Sequence, residues 1–411
     1  MNKINKSQHF LLSVNCLKVV LDLFIGTFLT SYIVQQTPDS ILGQGLFNIG
    51  LLYLSWNFFY AILDFLFSFF VDKGNHTLFL RIGIAINTLL IVALVFWGET
   101  ISQWIVLAGF ICGVSDALYY SSYHVIRTEL GNNKESKQYH MLITILTNAI
   151  KVVVPAVMGY LIDISTYSTI AIYVIFVCLC QFVLSLFIKS EKLENSKFEP
   201  RKYLHVVKTD KEFYNNIKFT YFNALIAGVK TTYKIIVIVI TVYIFKKNLS
   251  LGIYTSVFSL ITIVFLIGYK YIDDHTTFNK LPIYLFLGFL PFIACIIMLI
   301  KTTEFTLMAL NLTLLIVSYF SDYLGTLERD EIIRLHNKPE FIAEHQVLCE
   351  NMQVGTRLIA YGIFMLVGLS ANLLYFKIML FVFIALNPLK FMVMYKQRKI
   401  RKNMEAKLEQ A

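Results

Sequence analysis

Apolar runs long enough to cross a lipid bilayer recur along the whole chain, and no other feature constrains its fold as strongly. A helix needs about 20 apolar residues to cross about 30 Å of hydrocarbon, and the sequence contains about twelve such runs. They fall near 10–34, 44–71, 77–98, 101–126, 139–163, 168–189, 217–245, 249–271, 281–301, 304–328, 349–371 and 374–396. Backbone polar groups in hydrocarbon must bond internally, and barrel strands have only about ten residues. The sequence therefore predicts an all-α membrane protein with twelve transmembrane helices.

The composition argues against a water-soluble domain and gives no support to catalysis. Hydrophobic residues make up 57% of the 411 residues and charged residues only 15%, too few for a polar surface. The six cysteines show no CxxC spacing, and the chain has no P-loop, HExxH or GxSxG motif. The formal charge of +10 lies in alternate loops and at the tail, which argues against nucleic acid as a partner. We expect no enzyme activity, no cofactor and no metal.

Lysine and arginine mark every second loop between the apolar runs. In the first half, the loops "QQTPDSILGQ", "GETISQ" and "ISTYST" contain neither residue, whereas the intervening loops contain several. By the positive-inside rule, both termini are predicted to be cytoplasmic, which requires an even number of spans. Lys246, Lys247, Lys301 and Lys377 are exceptions in the second half. The compact loops and the Lys-, Ile- and Asn-rich composition favour the plasma membrane of a bacterial cell.

The longest polar stretch between apolar runs divides the chain into two halves of similar design. The predicted parts are an N-terminal six-helix bundle (1–189), a basic cytoplasmic linker (190–216), a C-terminal six-helix bundle (217–396) and a basic cytoplasmic tail (397–411). An internal repeat supports the division, because "SDALYYSSYHVIR" in the first half is similar to "SDYLGTLERDEIIR" in the second. This alignment places Asp116 opposite Asp322 and, further on, Lys151 opposite Arg357. The two bundles are therefore expected to be pseudo-symmetric.

Charged and polar residues within the apolar runs follow steps of three and four, so they share helix faces. A charge at the centre of a membrane helix costs roughly 2.5–3.5 kcal/mol, so these faces are expected to meet in a polar interior or cavity. The stripes consist of Asn15, Lys18, Asp22 and Gly26; Asp116, Tyr119, Tyr120, Tyr123 and Arg127; Thr144, Asn148, Lys151, Pro155 and Gly159; Asn223, Lys230 and Lys234; and Asn311, Ser318, Asp322 and Gly325.

With twelve spans, cytoplasmic ends, a central basic loop and polar stripes on the first, fourth, seventh and tenth helices, the chain resembles the major facilitator superfamily of secondary transporters. The resemblance implies alternating access, in which two halves rock about a site near the midplane. The family's loop motif between the second and third spans is similar to "SFFVDKGNHTLFLR", where Asp72 and Lys73 match the acid and the base of a gating loop. Ser68 replaces its first glycine, and Gly74 is displaced by one position.

The in-span charges supply the candidate site residues. We assign proton coupling to Asp22, Asp116 and Asp322, with a fixed Lys18–Asp22 pair as the alternative for Asp22. Similar depths predict two symmetry-related ion pairs, Asp116–Lys151 and Asp322–Arg357. Lys230 and Lys234 are expected to contact a substrate or counter-ion, or to form a structural bridge. The predicted substrate cavity comprises Asn15, Lys18, Asp22, Tyr119, Tyr120, Tyr123, Asn148, Lys151, Asn223, Lys230, Lys234 and Arg357.

The sequence thus favours a proton-coupled secondary transporter that exports small amphipathic molecules across the cell membrane. Its expected partners are a small-molecule or lipid-like substrate, protons and membrane lipids. Three alternatives stay open: an importer of a small anionic solute, a flippase for glycolipids or other lipids, and a sensor or scaffold that no longer transports. A proton-coupled transporter would draw on the membrane potential, worth about 2.3 kcal/mol per charge per 100 mV.

Overall fold

A computed structural model of the chain describes residues 6–36, 41–71, 76–129, 133–189, 198–245, 248–275, 281–336, 338, 341–370 and 372–410. All regular structure in these residues is helical, which confirms the predicted all-α class for this part of the chain. The helices are α1 (Lys6–Leu23), α2 (Thr30–Gln35), α3 (Leu46–Val71), α4 (His76–Trp97), α5 (Ile105–Glu129), α6 (Asn133–Ile164), α7 (Tyr167–Ser185), α8 (Pro200–Thr209), α9 (Lys211–Phe245), α10 (Asn248–His275), α11 (Leu281–Ile300), α12 (Glu304–Leu335), α13 (Ile342–Leu369), α14 (Leu373–Ile384) and α15 (Leu386–Gln410).

Ten helical segments among the described residues are long and apolar enough to cross a membrane. They are Lys6–Gln35, Gly43–Phe70, His76–Trp97, Ile105–Ile126, Ile145–Ile164, Tyr167–Ser185, Lys211–Thr241, Leu281–Ile300, Ala343–Leu369 and Leu374–Lys407. Two further apolar segments, Gly252–Phe265 and Glu304–Ser318, are shorter. They lie within the predicted spans 249–271 and 304–328, so the number twelve stays a prediction.

The described residues group into two compact units. The first unit draws on Met1–Lys197, Ile238–Leu260 and Tyr361–Asn372, and the second on Phe198–Val237, Ile261–Ala360 and Leu373–Ala411. Their boundaries cut through α9, α10 and α13, so the units do not coincide with the two sequence halves. The division into two six-helix bundles therefore stays a prediction.

In the first unit, α5 packs closely against α3 because glycine replaces a side chain at their contact. Gly109 and Gly113 are spaced four residues apart on α5, the small-residue spacing that lets membrane helices approach closely. A Cβ atom added to Gly113 would lie 2.6 Å from the backbone oxygen of Trp56, and one added to Gly109 would collide with Ser55. These glycines thus bring α3 and its Trp56 side chain against α5.

The α3 helix has a polar buried face and an apolar exposed face, the reverse of a helix in a water-soluble protein. Asn57 and Asp64 are buried, whereas Phe58, Ile62 and Phe69 are 40–49% exposed. The exposed residues recur at helical spacing, so they form one continuous apolar strip. Such a strip is suited to contact lipid chains.

In the second unit, the described part of the predicted linker is structured. Its helix α8 buries Tyr203 in an apolar cluster with Phe213, Ile332 and Phe341. Between α8 and α9, the Asp210 carboxylate accepts a hydrogen bond from the Phe213 backbone N–H, an N-cap that satisfies one free donor of α9. Lys338 reaches the other oxygen of Asp210 at 2.6 Å.

Candidate functional site

One lysine and two aspartates form a lysine–carboxylate cluster in the first unit, consisting of Lys18, Asp22 and Asp116. Lys18 and Asp22 are one turn apart on α1, and their Nζ and Oδ1 atoms are 2.7 Å apart. The same Nζ lies 2.7 Å from Oδ1 of Asp116 on α5. The ammonium group therefore joins two carboxylates, and the cluster has one negative charge more than it has positive charges when all three groups are ionised.

The second oxygen of each carboxylate is bound by an aromatic donor. The indole Nε1 of Trp56 donates to Asp116 Oδ2 at 3.0 Å, and the Tyr120 hydroxyl donates to Asp22 Oδ2 at 3.0 Å. The ring centroids of Tyr119 and Tyr120 lie 5.6 and 5.7 Å from Lys18 Nζ, within the range of cation–π attraction. Hydrogen bonds to an ionised acceptor are stronger than those between neutral groups, so the Trp56 and Tyr120 donors hold both carboxylates in place.

The three ions differ in their access to solvent. The side chain of Lys18 is 3% exposed and that of Asp116 is 12% exposed, whereas Asp22 is 35% exposed. A buried ion pair needs good geometry and further hydrogen bonds to offset its desolvation, and Asp116 has both. Asp22 is therefore the most accessible member of the cluster.

The helix bearing Lys18 and Asp22 loses its regular α-helical pattern immediately after the site. Residues Phe24–Leu29 form a π-helical segment before α2 begins. Within it the backbone oxygen of Gly26 accepts hydrogen bonds from the Tyr53 hydroxyl at 3.1 Å and from the Thr30 hydroxyl at 3.0 Å. Short π-helical insertions are frequent at functional sites. Here α3 supports the irregular backbone through Tyr53.

The predicted partner of Asp116 is wrong, because Asp116 pairs with Lys18 and Trp56 and not with Lys151. Counting residues from the loops gives depth along a helix but not the direction in which a side chain points. Lys151 lies half-buried on α6, and Arg357 on α13 bonds the side chain of Gln353. The Asp322 side chain and the loop residues Asp72 and Lys73 lie outside the described part, so the predicted Asp322–Arg357 pair and the gating loop stay predictions.

A second buried cluster, here called the twin-lysine site, consists of Lys230, Lys390 and Ser321 in the second unit. Lys230 Nζ donates to Ser321 Oγ at 2.6 Å and to the Ser318 backbone oxygen at 3.1 Å. Lys390 Nζ donates to the same Ser321 Oγ at 3.2 Å. Lys230 is 5% exposed and Lys390 is 3% exposed.

The position of Lys390 depends on a break between α14 and α15 that the sequence encodes. Pro388 has no N–H to offer the backbone oxygen of Ile384, and the Asn387 side chain donates to that oxygen instead, at 3.0 Å. The other end of the Asn387 amide accepts a hydrogen bond from the Tyr233 hydroxyl at 3.0 Å. The sequence pattern does not mark Lys390, because this residue lies in an apolar run. The Asn-Pro pair two residues before it is the signal that marks the break.

The remaining predicted cavity residues separate into two groups. Tyr119 and Tyr123 are 1% and 4% exposed, stack on each other and belong to the apolar core of the first unit. Asn148 on α6 and Asn223 on α9 are buried, and Oδ1 of Asn223 has no hydrogen-bond partner among the described atoms. Asn15 and Lys234 are half-buried. Tyr120 is the predicted tyrosine whose hydroxyl binds an ion of the cluster.

The described residues contain no group of three or more His, Cys, Asp or Glu side chains arranged to hold a metal ion.

Comparison with known proteins adds one finding. The sequence profile described as "Major Facilitator Superfamily" matches residues 19–325 of this chain. A comparison with curated proteins returns no match. The matched range covers most of the chain and includes Asp22, Asp116, Lys230 and Ser321.

Proposed function

From its membership of the major facilitator superfamily, which makes this chain a secondary transporter, we propose that it couples the movement of a small solute to protons through Asp22 and Asp116. The observation that carries the proposal is the sharing of one buried ammonium group by two carboxylates. Because the cluster has a surplus of negative charge, binding one proton brings it to neutrality. A proton at this place changes the attraction that holds α1 to α5.

The exposure of the cluster supports Asp22 as the group that exchanges protons. Its side chain is about one-third accessible, while Lys18 is almost fully buried. When Asp22 takes up a proton, Lys18 keeps one charged partner, Asp116. The attraction between Lys18 and Asp22 then weakens, as does the charged hydrogen bond that Tyr120 on α5 donates to Asp22. Two unit charges about 4 Å apart attract by about 4 kcal/mol in a partly screened environment. A change on that scale is enough to shift the balance between two conformations.

The proposed cycle is alternating access, with export of small amphipathic molecules across the cell membrane of a bacterium and with both termini in the cytoplasm. The proposed cavity comprises the predicted residues that are not core packing, with Asp322 as a third proton-coupling residue and Asp72 and Lys73 as a gating pair. Its members are Asn15, Lys18, Asp22, Tyr120, Asn148, Lys151, Asn223, Lys230, Lys234 and Arg357. The twin-lysine site favours a second candidate, import of a small anionic solute. A lipid flippase and a non-transporting scaffold have no such support.

Proton coupling is tested in everted membrane vesicles with an acidic interior, using phenyl phosphate, phenylacetamide and benzylamine as probe solutes. For wild type, at least one probe is expected to dissipate the proton gradient, measured with a pH-sensitive dye. Asp22→Asn is expected to abolish this signal while keeping exchange of labelled probe against unlabelled probe in proteoliposomes. Asp163→Asn, an exposed aspartate in the same unit, serves as the control and should behave as wild type. Proton-driven movement that survives Asp22→Asn would refute the proposal.

A further inference from the structure

Near the start of α9 and in the middle of α15, lysines from two helices of the second unit approach one aromatic ring. The ammonium nitrogen of Lys218 lies 5.5 Å from the centroid of the Phe219 ring, and that of Lys396 lies 5.4 Å from the same centroid. The two nitrogens are therefore no farther apart than the sum of these distances. Gln397 donates from Nε2 to Thr220 Oγ1 at 3.0 Å, so the two helices are bonded to each other directly beside both lysines. Lys218, Phe219 and Lys396 are here called the Phe219 surface.

The Phe219 surface lies toward one end of two helical segments of membrane length. These segments are Lys211–Thr241 and Leu374–Lys407. Lys218 comes about two turns after the start of the first, and Lys396 about three turns before the end of the second. Lysines in such positions extend their ammonium groups toward the membrane–water interface. Lipid headgroups are therefore the molecules expected beside this surface.

Each of the two lysines continues into an exposed apolar strip on the same side of its helix. Residues at steps of four and three share a helix face, and here the steps lead from the lysine toward the middle of the span. The strips consist of Phe222 and Leu225 after Lys218, and of Leu389 and Met392 before Lys396. Their side chains are 38–55% exposed. Both helices thus place a positive charge above an apolar surface that is open to contact.

We propose that the Phe219 surface binds an anionic phospholipid, whose phosphate accepts hydrogen bonds from Lys218 and Lys396 and whose acyl chains lie on the two apolar strips. A phosphate diester has more than one free oxygen, so it can accept from both ammonium groups at once, and such charge-assisted bonds are strong. The apolar strips favour a lipid over a free phosphate ion, because only the lipid has chains to cover them. This inference goes beyond the proposed function, since it concerns a membrane component and no step of transport enters it.

The charges around the Phe219 surface favour an anionic headgroup over a zwitterionic one. Lys218 Nζ donates to Asn215 Oδ1 at 2.9 Å, and this acceptor is neutral. Within the part of the chain that the structure describes, Lys218 and Lys396 form no ion pair with a carboxylate. Lys399 is exposed about one turn farther out on α15, whereas the exposed acid Glu212 is six residues before Lys218 and so lies off its face. Basic residues near a membrane surface attract anionic lipids.

The test measures lipid binding to the full-length protein by native mass spectrometry from detergent micelles. The probes are phosphatidylglycerol, phosphatidylcholine with the same acyl chains, and glycerol 3-phosphate, which has a phosphate but no chains. For wild type, the apparent Kd of phosphatidylglycerol is expected to be about tenfold or more below that of phosphatidylcholine, from roughly fivefold per lysine. Glycerol 3-phosphate at the same concentration is expected not to displace phosphatidylglycerol.

Variants then locate the site. Lys218→Gln and Lys396→Gln should each weaken binding of phosphatidylglycerol by about fivefold, and the double variant should bind both lipids alike. Lys396→Arg retains the charge and should retain the preference for phosphatidylglycerol. Lys301→Gln, an exposed lysine just after α11 in the same unit, is the matched control for a lost charge and should behave as wild type.

Three results would overturn the proposal. Equal binding of the two lipids by wild type is the first, and it needs no variant to fold. The second is a preference for phosphatidylglycerol that persists in the double variant or is lost in Lys301→Gln, because the anion would then bind elsewhere. The third is displacement of phosphatidylglycerol by glycerol 3-phosphate, which would make the ligand a free phosphate. Proton coupling is unaffected by any of these results, since it is tested separately with Asp22→Asn.

Discussion

Replacing Lys18 by methionine tests the lysine–carboxylate cluster most directly. Methionine has a similar length and fills the same space, so the change removes the positive charge with little loss of volume. It leaves Asp22 and Asp116 without the ammonium group that lies 2.7 Å from each of them. Removing one member of a buried ion pair costs about 3–5 kcal/mol, because the other member stays buried without compensation. We expect Lys18→Met to lower the free energy of unfolding by that amount.

The assay is reversible unfolding of the purified protein in mixed micelles, followed by tryptophan fluorescence. Lys189→Met, an exposed lysine beyond α7, is the control and should change the free energy of unfolding by less than about 0.5 kcal/mol. The double variant Lys18→Met with Asp116→Leu removes both members of the buried pair and should regain part of the loss. A loss below about 1 kcal/mol for Lys18→Met, the value of an exposed pair, would show that the cluster is not the buried ion network described above.

Three further predictions follow from other parts of the structure. Gly113→Leu inserts a side chain where a Cβ atom would already lie 2.6 Å from the Trp56 backbone oxygen. This variant should lower the free energy of unfolding by about 1–3 kcal/mol. Gly98→Ala is the comparison, because Gly98 lies next to open space and the new side chain is strained only by the backbone φ of 43°. The pKa of Asp210 lies below its usual value, mainly because of the hydrogen bond from Lys338 and next because of that from the Phe213 N–H. The ionised Asp210 therefore stabilises the fold above the unfolded-state pKa, and this contribution is lost as the pH falls through the folded-state pKa. Asp210→Ala should therefore cost about 1 kcal/mol at neutral pH and progressively less in acid, and an unfolding deficit that does not shrink would contradict this. Pro388→Ala restores a backbone donor for Ile384, whose oxygen already accepts from the Asn387 side chain, and should keep the free energy of unfolding within about 1 kcal/mol of wild type in the same unfolding assay.

The sequence predicted the class of the fold and the charged members of one site, because both leave a periodic trace. Apolar runs of membrane length are rare outside membrane helices, and Lys18 and Asp22 are visible at a spacing of one turn. Trp56 and Tyr53 leave no such trace, since an aromatic residue in an apolar run is read as lipid contact or packing. The role of Trp56 depends on how α3 packs against α5, which Gly109 and Gly113 set, and the role of Tyr53 depends on how α3 packs against the π-helical segment after α1.

The same limit explains the wrong partner of Asp116 and the missed lysine. Depth along a helix is readable from sequence because each residue rises about 1.5 Å, but the azimuth at which two helices face each other is decided by side-chain packing. Counting residues places Lys151 at a depth similar to that of Asp116, but the side chain that faces Asp116 in the structure is Lys18. Lys390 lies in a run with a regular apolar pattern, and the break between α14 and α15 that precedes it interrupts the helix without interrupting that pattern.

Both sites are placed beside irregular backbone, and this pairing has a physical reason. In hydrocarbon a helix that loses its regular hydrogen bonds must find other partners, so irregularity is tolerated only where protein groups supply them. Tyr53 and Thr30 supply them for the π-helical segment after Asp22, and Asn387 supplies one at Pro388. The surplus of acid at the lysine–carboxylate cluster then places proton binding on α1 directly before the segment where the hydrogen-bond pattern of the helix changes.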